Sequence, residues 1–162
     1  MFILKWLLIA IVVLAVALVA AGQFGLLKGE PPTDLGVREG RLKAPSNTPN
    51  SVTSQAGLHP GHPMRVTAEI APLALRGDGP ATMAQIKAVV EGMDGAVVVK
   101  TEPDYLYAQF TTRWMKYTDD VEFWFDPTAS VVQVRSASRI GRGDLGANRH
   151  RVEAIRALLA VR

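Results

Sequence analysis

Side chains that could bind an anion are concentrated where the last predicted strand runs into the last predicted helix. Three glycines, Gly141, Gly143 and Gly146, punctuate this turn. The backbone N–H groups of such a loop at a helix N-terminus can bind an anion, and nearby arginines can help to hold it. The candidate anion-binding residues are Arg135, Ser136, Ser138, Arg139, Arg142 and Asn148. In the alternative reading, the serines and the asparagine only satisfy backbone groups of the loop.

A second group of candidate functional residues is the acidic cluster Asp119, Asp120 and Glu122. Neighbouring carboxylates can bind a hard cation through several oxygen atoms. Strand alternation, however, sends Asp120 and Glu122 to one face and leaves Asp119 at a turn. On the predicted sheet Glu122 lies between Arg113 and Arg135, so we interpret the three as a structural ion-pair row.

The residue inventory argues against several kinds of catalytic site. The chain has no cysteine, which excludes disulfides, thiolate catalysis and cysteine-ligated metals. Its three histidines are not accompanied by a nucleophile-elbow motif around either Ser136 or Ser138. We therefore assign no catalytic residue, no metal ligand and no cofactor. The net charge of +3 is too small to suggest a nucleic-acid partner, and none is expected.

Hydrophobic periodicity predicts the elements that must position these residues. Strands are predicted over Ala96–Lys100 and Tyr105–Met115, around Val121–Phe125 and around Val132–Arg135, with a turn between each pair. One helix begins near Pro80 with Asp78 or Gly79 as its cap, and another follows Asp144 as its cap.

The turn lengths predict how the strands pair. A two-residue loop at 117–118 places Arg113 opposite Glu122 and Phe110 opposite Phe125. A four-residue loop at 127–130 places Glu122 opposite Arg135 and Phe123 opposite Val134. Both registers keep the apolar side chains on one face. The predicted fold class is α+β: a four-stranded antiparallel meander with two helices on its apolar face, preceded by a single N-terminal transmembrane helix.

The N-terminal segment is uncharged from Trp6 to Gly22 and stays largely apolar to Leu27. This length suits a helix crossing the ~30 Å hydrocarbon core of a bilayer. We expect an uncleaved anchor that contacts the membrane through residues 6–27. A cleaved signal peptide, with 19–21 as its cleavage site, is the alternative. Lys5 and the terminal amine favour a cytoplasmic N-terminus, which places the rest of the chain on the periplasmic side.

The remaining sequence divides by composition. Residues 1–27 are the anchor, residues 28–63 form an arm rich in proline and serine, and residues 64–162 form the α+β domain. The arm is interpreted either as a flexible spacer or as an ordered strap across the domain.

Two stretches resemble a known family. The run DDVEFWFDPTASVVQVRSASRIGRGDLGANRHRVEAIR (119–156) and the run LGVREGRLKAPSNTPNSVTSQA (35–56) look like the signatures of domain-of-unknown-function family 1499, which has bacterial and plant members. Many members carry two cysteines in the earlier stretch, where this chain has Pro45 and Ser51. The resemblance implies no activity.

These observations favour a membrane-anchored binding or assembly module for an envelope partner, either a protein or an anionic ligand. One alternative is a metal-dependent or hydrolytic enzyme that uses the face carrying Asp120, Glu122 and Arg135. Another is a purely structural component of an envelope complex.

Overall fold

The N-terminal apolar segment forms one long helix. The computed structural model describes residues 2–161, and within them α1 (Phe2–Gln23) is the one helix long and apolar enough to cross a membrane. Its side chains are exposed along nearly the whole length, and only Gly22, next to its end, is buried. A helix of this composition without a protein neighbour needs an apolar surrounding.

The rest of the described chain is an α+β fold around one antiparallel sheet. Its elements are β1 (Ser51–Thr53), a short 3-10 helix (Ala56–Leu58), α2 (Arg65–Ala68), β2 (Leu73–Ala74), α3 (Gly79–Glu91), β3 (Ala96–Thr101), β4 (Tyr105–Thr111), β5 (Thr118–Asp126), β6 (Val131–Ser138) and α4 (Ala147–Ala160). The strand order is β1-β6-β5-β4-β3, and β2 also pairs with β6. The sheet therefore has six strands, and the predicted number of four is wrong. β1 and β2 were missed because they have three and two residues, too few for alternation to be visible.

Both long helices of the domain share a core with one face of the sheet. Strand residues such as Leu106 and Phe123 pack with Ile86 of α3 and Ile155 of α4, and all four are almost completely buried. α3 begins as its sequence predicts, because the Asp78 side chain accepts a hydrogen bond from the backbone N–H of Ala81. The two helices cover one face of the sheet, and the opposite face is left for the arm.

The β5–β6 register is the predicted one, with Glu122 opposite Arg135 and Phe123 opposite Val134. The β4–β5 register is not. Tyr107, rather than Arg113, lies opposite Glu122. The connecting loop spans residues 112–117, and strand β4 ends at Thr111. A shift of six residues, being even, leaves every side chain on its original face, so the one-face test could not detect the error.

The predicted arm crosses the second face of the sheet. It contributes β1, which pairs antiparallel with β6, and the buried side chain of Leu42. The backbone N–H of Leu42 donates to Gln55 Oε1 at 2.7 Å, and the Gln55 side chain donates back to the Gly40 carbonyl at 3.0 Å. The strand alternation places Glu122 and Arg135 on this face, so both are covered by the arm. The boundaries proposed at residues 27/28 and 63/64 stay predictions.

Candidate functional site

The centre of the arm-covered face is a buried carboxylate. Glu122 on β5 is 0% exposed. Its Oε1 accepts hydrogen bonds from the backbone N–H of Gly36 at 2.7 Å and from the Tyr105 hydroxyl at 2.8 Å. Its Oε2 has no hydrogen-bond partner and lies 3.7 Å from Arg135 Nη1. The pairing of Glu122 with Arg135 is therefore loose, although the Arg135 side chain is only 5% exposed.

A second, tighter ion pair lies beside it on the same face. Arg139 donates through Nε to Asp120 Oδ2 at 2.9 Å and through Nη2 to Asp120 Oδ1 at 2.8 Å. The Tyr107 hydroxyl donates to Asp120 Oδ1 at 2.5 Å. The Arg139 side chain is 1% exposed, so this bidentate pair is almost fully desolvated. It joins the end of β6 to β4 and β5.

Burial changes the proton affinity of the network. Desolvation raises the pKa of Glu122, and the opposing effects of the Gly36 N–H, Arg135 and Tyr105 only partly offset it. Desolvation, together with the neighbouring Glu122, also raises the pKa of Tyr105 far above its usual range. Tyr105 is therefore neutral and acts as a hydrogen-bond donor to the carboxylate.

A cavity of about 320 Å³ lies between the arm and this face. Its walls include Lys43, Ser46, Asn47, Asp120, Arg135 and Arg139. Arg139 Nη1 is buried and has no hydrogen-bond partner. Arg135 uses only Nε, which donates to the Ala44 carbonyl at 3.3 Å, so its two terminal nitrogens make no hydrogen bond among residues 2–161. The two arginines that line this cavity thus keep guanidinium donors without an acceptor.

The structure divides the predicted anion site between the two faces of β6. Arg135, Ser138 and Arg139 line the cavity, but the hydroxyl of Ser138, like that of Ser136, bonds to Asn148 on the helix side. Ser136 Oγ donates to Asn148 Oδ1 at 2.5 Å, and Asn148 Nδ2 donates to the Asn50 carbonyl at 3.0 Å. These bonds tie the start of α4 to the sheet and to the arm.

Two predicted arginines have other surroundings. Arg142 lies in the exposed loop before α4 and does not line the cavity. Arg113 lies beyond the end of β4, with its guanidinium 5.3 Å from the ring centre of Trp114. The row of Arg113, Glu122 and Arg135 is thus reduced to the pair Glu122 and Arg135, because the β4–β5 loop is longer than the sequence predicted.

The acidic cluster is also divided. Asp119 faces the helices and pairs with Arg151 of α4, whose Nη2 lies 2.5 Å from Asp119 Oδ2. Asp120 and Glu122 face the arm. Among residues 2–161, no three acidic or histidine side chains are grouped so that they could hold a metal ion.

Sequence reasoning missed Arg151 and Lys43 as members of these networks. Lys43 lines the cavity and pairs with Asp34 at 2.6 Å, and this contact lowers the pKa of Asp34. Arg151 had no readable signal because its partner lies 32 positions earlier, and Lys43 had none because it pairs with Asp34 inside the irregular arm, where no periodicity predicts a contact. The separation of Arg135 and Arg139 from the two serines, in contrast, follows from strand alternation and was available in the sequence.

Among known proteins, the chain matches one family profile. The profile of a family described as Protein of unknown function (DUF1499) matches residues 41–159. No curated protein and no solved structure matches the chain. The matched range includes β6, the loop before α4 and most of the arm, and hence most of the cavity wall.

Proposed function

The chain belongs to this family of proteins of unknown function, and we propose that it is a membrane-anchored domain that binds a small anionic ligand in the cavity between the arm and the sheet. The ligand class is a carboxylate or an oxyanion such as phosphate. The observation that carries the proposal is that two buried arginines, Arg135 and Arg139, line the cavity and keep guanidinium donors without an acceptor.

The anchor rests on the length and composition of α1. Its 22 residues rise about 33 Å at ~1.5 Å per residue, which matches the hydrocarbon thickness of a bilayer. Residues 6–27 would contact the membrane as an uncleaved, single-pass anchor, with α1 as the part that spans the hydrocarbon core. Lys5 and the terminal amine favour the cytoplasmic side for the N-terminus, so the domain would face the periplasm of a bacterial envelope.

Unused hydrogen-bond donors support an anion as the ligand. Nε and Nη2 of Arg139 hold Asp120, which directs Nη1 away from that carboxylate. A buried donor without a partner costs about 1–3 kcal/mol. A ligand oxygen that reaches both Nη1 of Arg139 and the terminal nitrogens of Arg135 would recover this energy through charge-assisted hydrogen bonds.

The charges around the cavity set how binding depends on pH. Asp120 and Asp34 are already paired with Arg139 and Lys43, and Glu30 at the rim is exposed to solvent. The remaining carboxyl, Glu122, has a raised pKa because it is buried. An anion beside Arg135 would raise that pKa further, so binding is coupled to proton uptake and strengthens as pH falls.

The test uses the full-length protein in detergent, with sulfate and acetate as oxyanion and carboxylate probes. Saturating probe, at 100 times its dissociation constant, should add about 2.7 kcal/mol to the free energy of unfolding. Arg139→Lys keeps a positive charge beside Asp120 but removes the free Nη1, so we expect at least a tenfold loss of affinity, equivalent to about 1.4 kcal/mol.

Two further variants make the result specific. Arg142→Lys, in the exposed loop, is the matched control and should bind as the wild type does. Glu122→Gln should bind at least as tightly at neutral pH and lose most of the pH dependence. If neither probe shifts the melting temperature, or if Arg139→Lys and Arg142→Lys behave alike, the cavity is not an anion site.

A further inference from the structure

The end of helix α1 is attached to the loop between β4 and β5. Gly22 is buried, and a Cβ atom built on it would lie 2.5 Å from the carbonyl oxygen of Met115. Gln23 Nε2 donates to the carbonyls of Trp114 at 2.8 Å and Arg113 at 3.3 Å. The loop 112–117 is therefore held at the level where the apolar helix ends.

Three segments meet at this level. A cavity of about 400 Å³ is lined by Leu27 of the linker, Tyr117 of the β4–β5 loop, and Ile140 and Leu145 of the loop before α4. We call residues 24–29, 112–117 and 140–146 together the membrane-proximal surface. The three segments are distant in sequence, and the fold brings them together around the end of α1.

The membrane-proximal surface exposes large apolar side chains. Trp114 is 63% exposed, and Leu145 is completely exposed. Phe24 and Leu26 also have most of their surface uncovered. Leu145 adopts a left-handed backbone conformation with φ 53°, which is uncommon for a residue other than glycine. An exposed apolar patch of this kind marks a surface that contacts something other than water.

The formal charges on this surface are mostly basic. Lys28, Arg113, Lys116 and Arg142 belong to it, and its one acidic residue is Asp144. The Asp144 carboxylate is already occupied by the backbone N–H groups of Gly146 at 3.0 Å and Asn148 at 2.9 Å. Basic side chains beside exposed aromatic rings fit a layer of anionic lipid headgroups.

From these contacts we propose that the membrane-proximal surface rests in the headgroup layer of the bilayer that α1 spans, with anionic lipids as its partner. The proposal rests on the proposed anchor. Continuity with α1 selects the bilayer over a protein partner, because the surface begins at the end of the spanning helix. Trp6 lies 18 positions before Phe24, about 27 Å along a helix, so aromatic residues stand at both ends of the apolar span.

The test measures the depth of Trp114 in the full-length protein. Trp6→Phe with Trp124→Phe leaves Trp114 as the single tryptophan, and Trp6→Phe with Trp114→Phe leaves Trp124 as the control. Trp124 lies six positions after the start of β5 at Thr118, a distance of about 20 Å along the strand. Both proteins are reconstituted into phosphatidylcholine vesicles containing phosphatidylglycerol and lipids with brominated acyl chains.

We expect bromine to quench Trp114 and not Trp124. Gly22→Val should remove the quenching of Trp114, because the added side chain would overlap the backbone of Met115. Ala17→Val, at an exposed position of the same helix, should leave it unchanged. Should Gly22→Val not fold, Arg113→Glu with Lys116→Glu gives an independent test and should weaken the quenching.

Sedimentation of the vesicles separates the two levels of the proposal. If the protein sediments with the vesicles and bromine quenches Trp114 no more than Trp124, the anchor stands and the docked surface is refuted. If the protein does not sediment with the vesicles, the anchor and the docked surface both fail.

Discussion

In the buried pair of Glu122 and Arg135, we expect replacement of the arginine to destabilise the fold much more than replacement of the glutamate. Arg135 has two further carboxylates, Asp120 and Asp34, close enough to stabilise its charge. For Glu122, Arg135 contributes a stabilising positive charge, while Asp120 opposes its ionisation. Removing the arginine therefore leaves a buried carboxylate that keeps only the hydrogen bonds from Gly36 and Tyr105, whereas replacing the carboxylate leaves an arginine that still has charged partners.

The geometry sets the size of the effect. At 3.7 Å and an effective dielectric constant of about 20, the attraction between the two charges is about 4 kcal/mol. Arg135→Met should cost about 3–5 kcal/mol, as for other buried pairs that lose one partner. Glu122→Gln should stay within about 1 kcal/mol of the wild type at neutral pH, because the lost attraction is offset by relief of the desolvation of Glu122.

The double variant distinguishes coupling from simple loss of packing. We expect Glu122→Gln to restore about 2–3 kcal/mol to Arg135→Met, so that the double variant is more stable than the arginine variant alone. The hydrogen bond from Arg135 Nε to Ala44 is lost in both backgrounds and cancels in the cycle.

The assay is urea unfolding in detergent of the full-length protein carrying Trp6→Phe and Trp114→Phe, followed by the fluorescence of Trp124. The control cycle uses the exposed pair Lys87 and Glu91 on α3, for which a coupling of about 0.3–0.5 kcal/mol is expected. A coupling between Glu122 and Arg135 no larger than this control would refute the reasoning. It would mean that water reaches the pair and that the arm does not cover it.

Three further predictions concern stability. Gly79→Ala should cost about 1–3 kcal/mol in urea unfolding, because its Cβ would overlap the Phe125 ring; a neutral result would contradict that packing. Asp144→Ala should lower the free energy of unfolding by about 1–2 kcal/mol, since the backbone N–H of Asn148 would lose its acceptor; an unchanged unfolding midpoint would show that this bond contributes little. The third is pH-dependent: folding raises the pKa of Glu122, so the folded state binds this proton more tightly than the unfolded state. The wild type should therefore gain stability relative to Glu122→Gln as pH falls from the folded pKa towards about 4.3, and a relative loss in that window would show the shift to be opposite in sign.

Local chemistry in the sequence was sufficient for several elements of the fold. The apolar run predicted the N-terminal helix, and Asp78 with Pro80 predicted the start of α3. The four-residue turn at 127–130 predicted the β5–β6 register, because a short loop allows few pairings. The family was also predicted from the sequence, and the match over residues 41–159 confirms it.

The β4–β5 register could not be determined from the hydrophobic pattern of the two strands. The alternation of side chains has a period of two, so any even shift satisfies it. The six-residue shift kept Phe110 on the apolar face while it exchanged Arg113 for Tyr107 as the neighbour of Glu122. Loop length decides between such registers, and the residues of loop 112–117 carried no clear signal of their conformation.

The alternation in β6 could have divided the candidate site between two faces, with Arg135 and Arg139 on one and Ser136 and Ser138 on the other. What only the tertiary structure decided is which face the arm covers, and hence which charges are buried. Burial depends on the path of residues 30–55 across the sheet, which no periodicity encodes. That path encloses the cavity, leaves Arg139 Nη1 without an acceptor and raises the pKa of Glu122, because desolvation acts only where distant segments exclude water together.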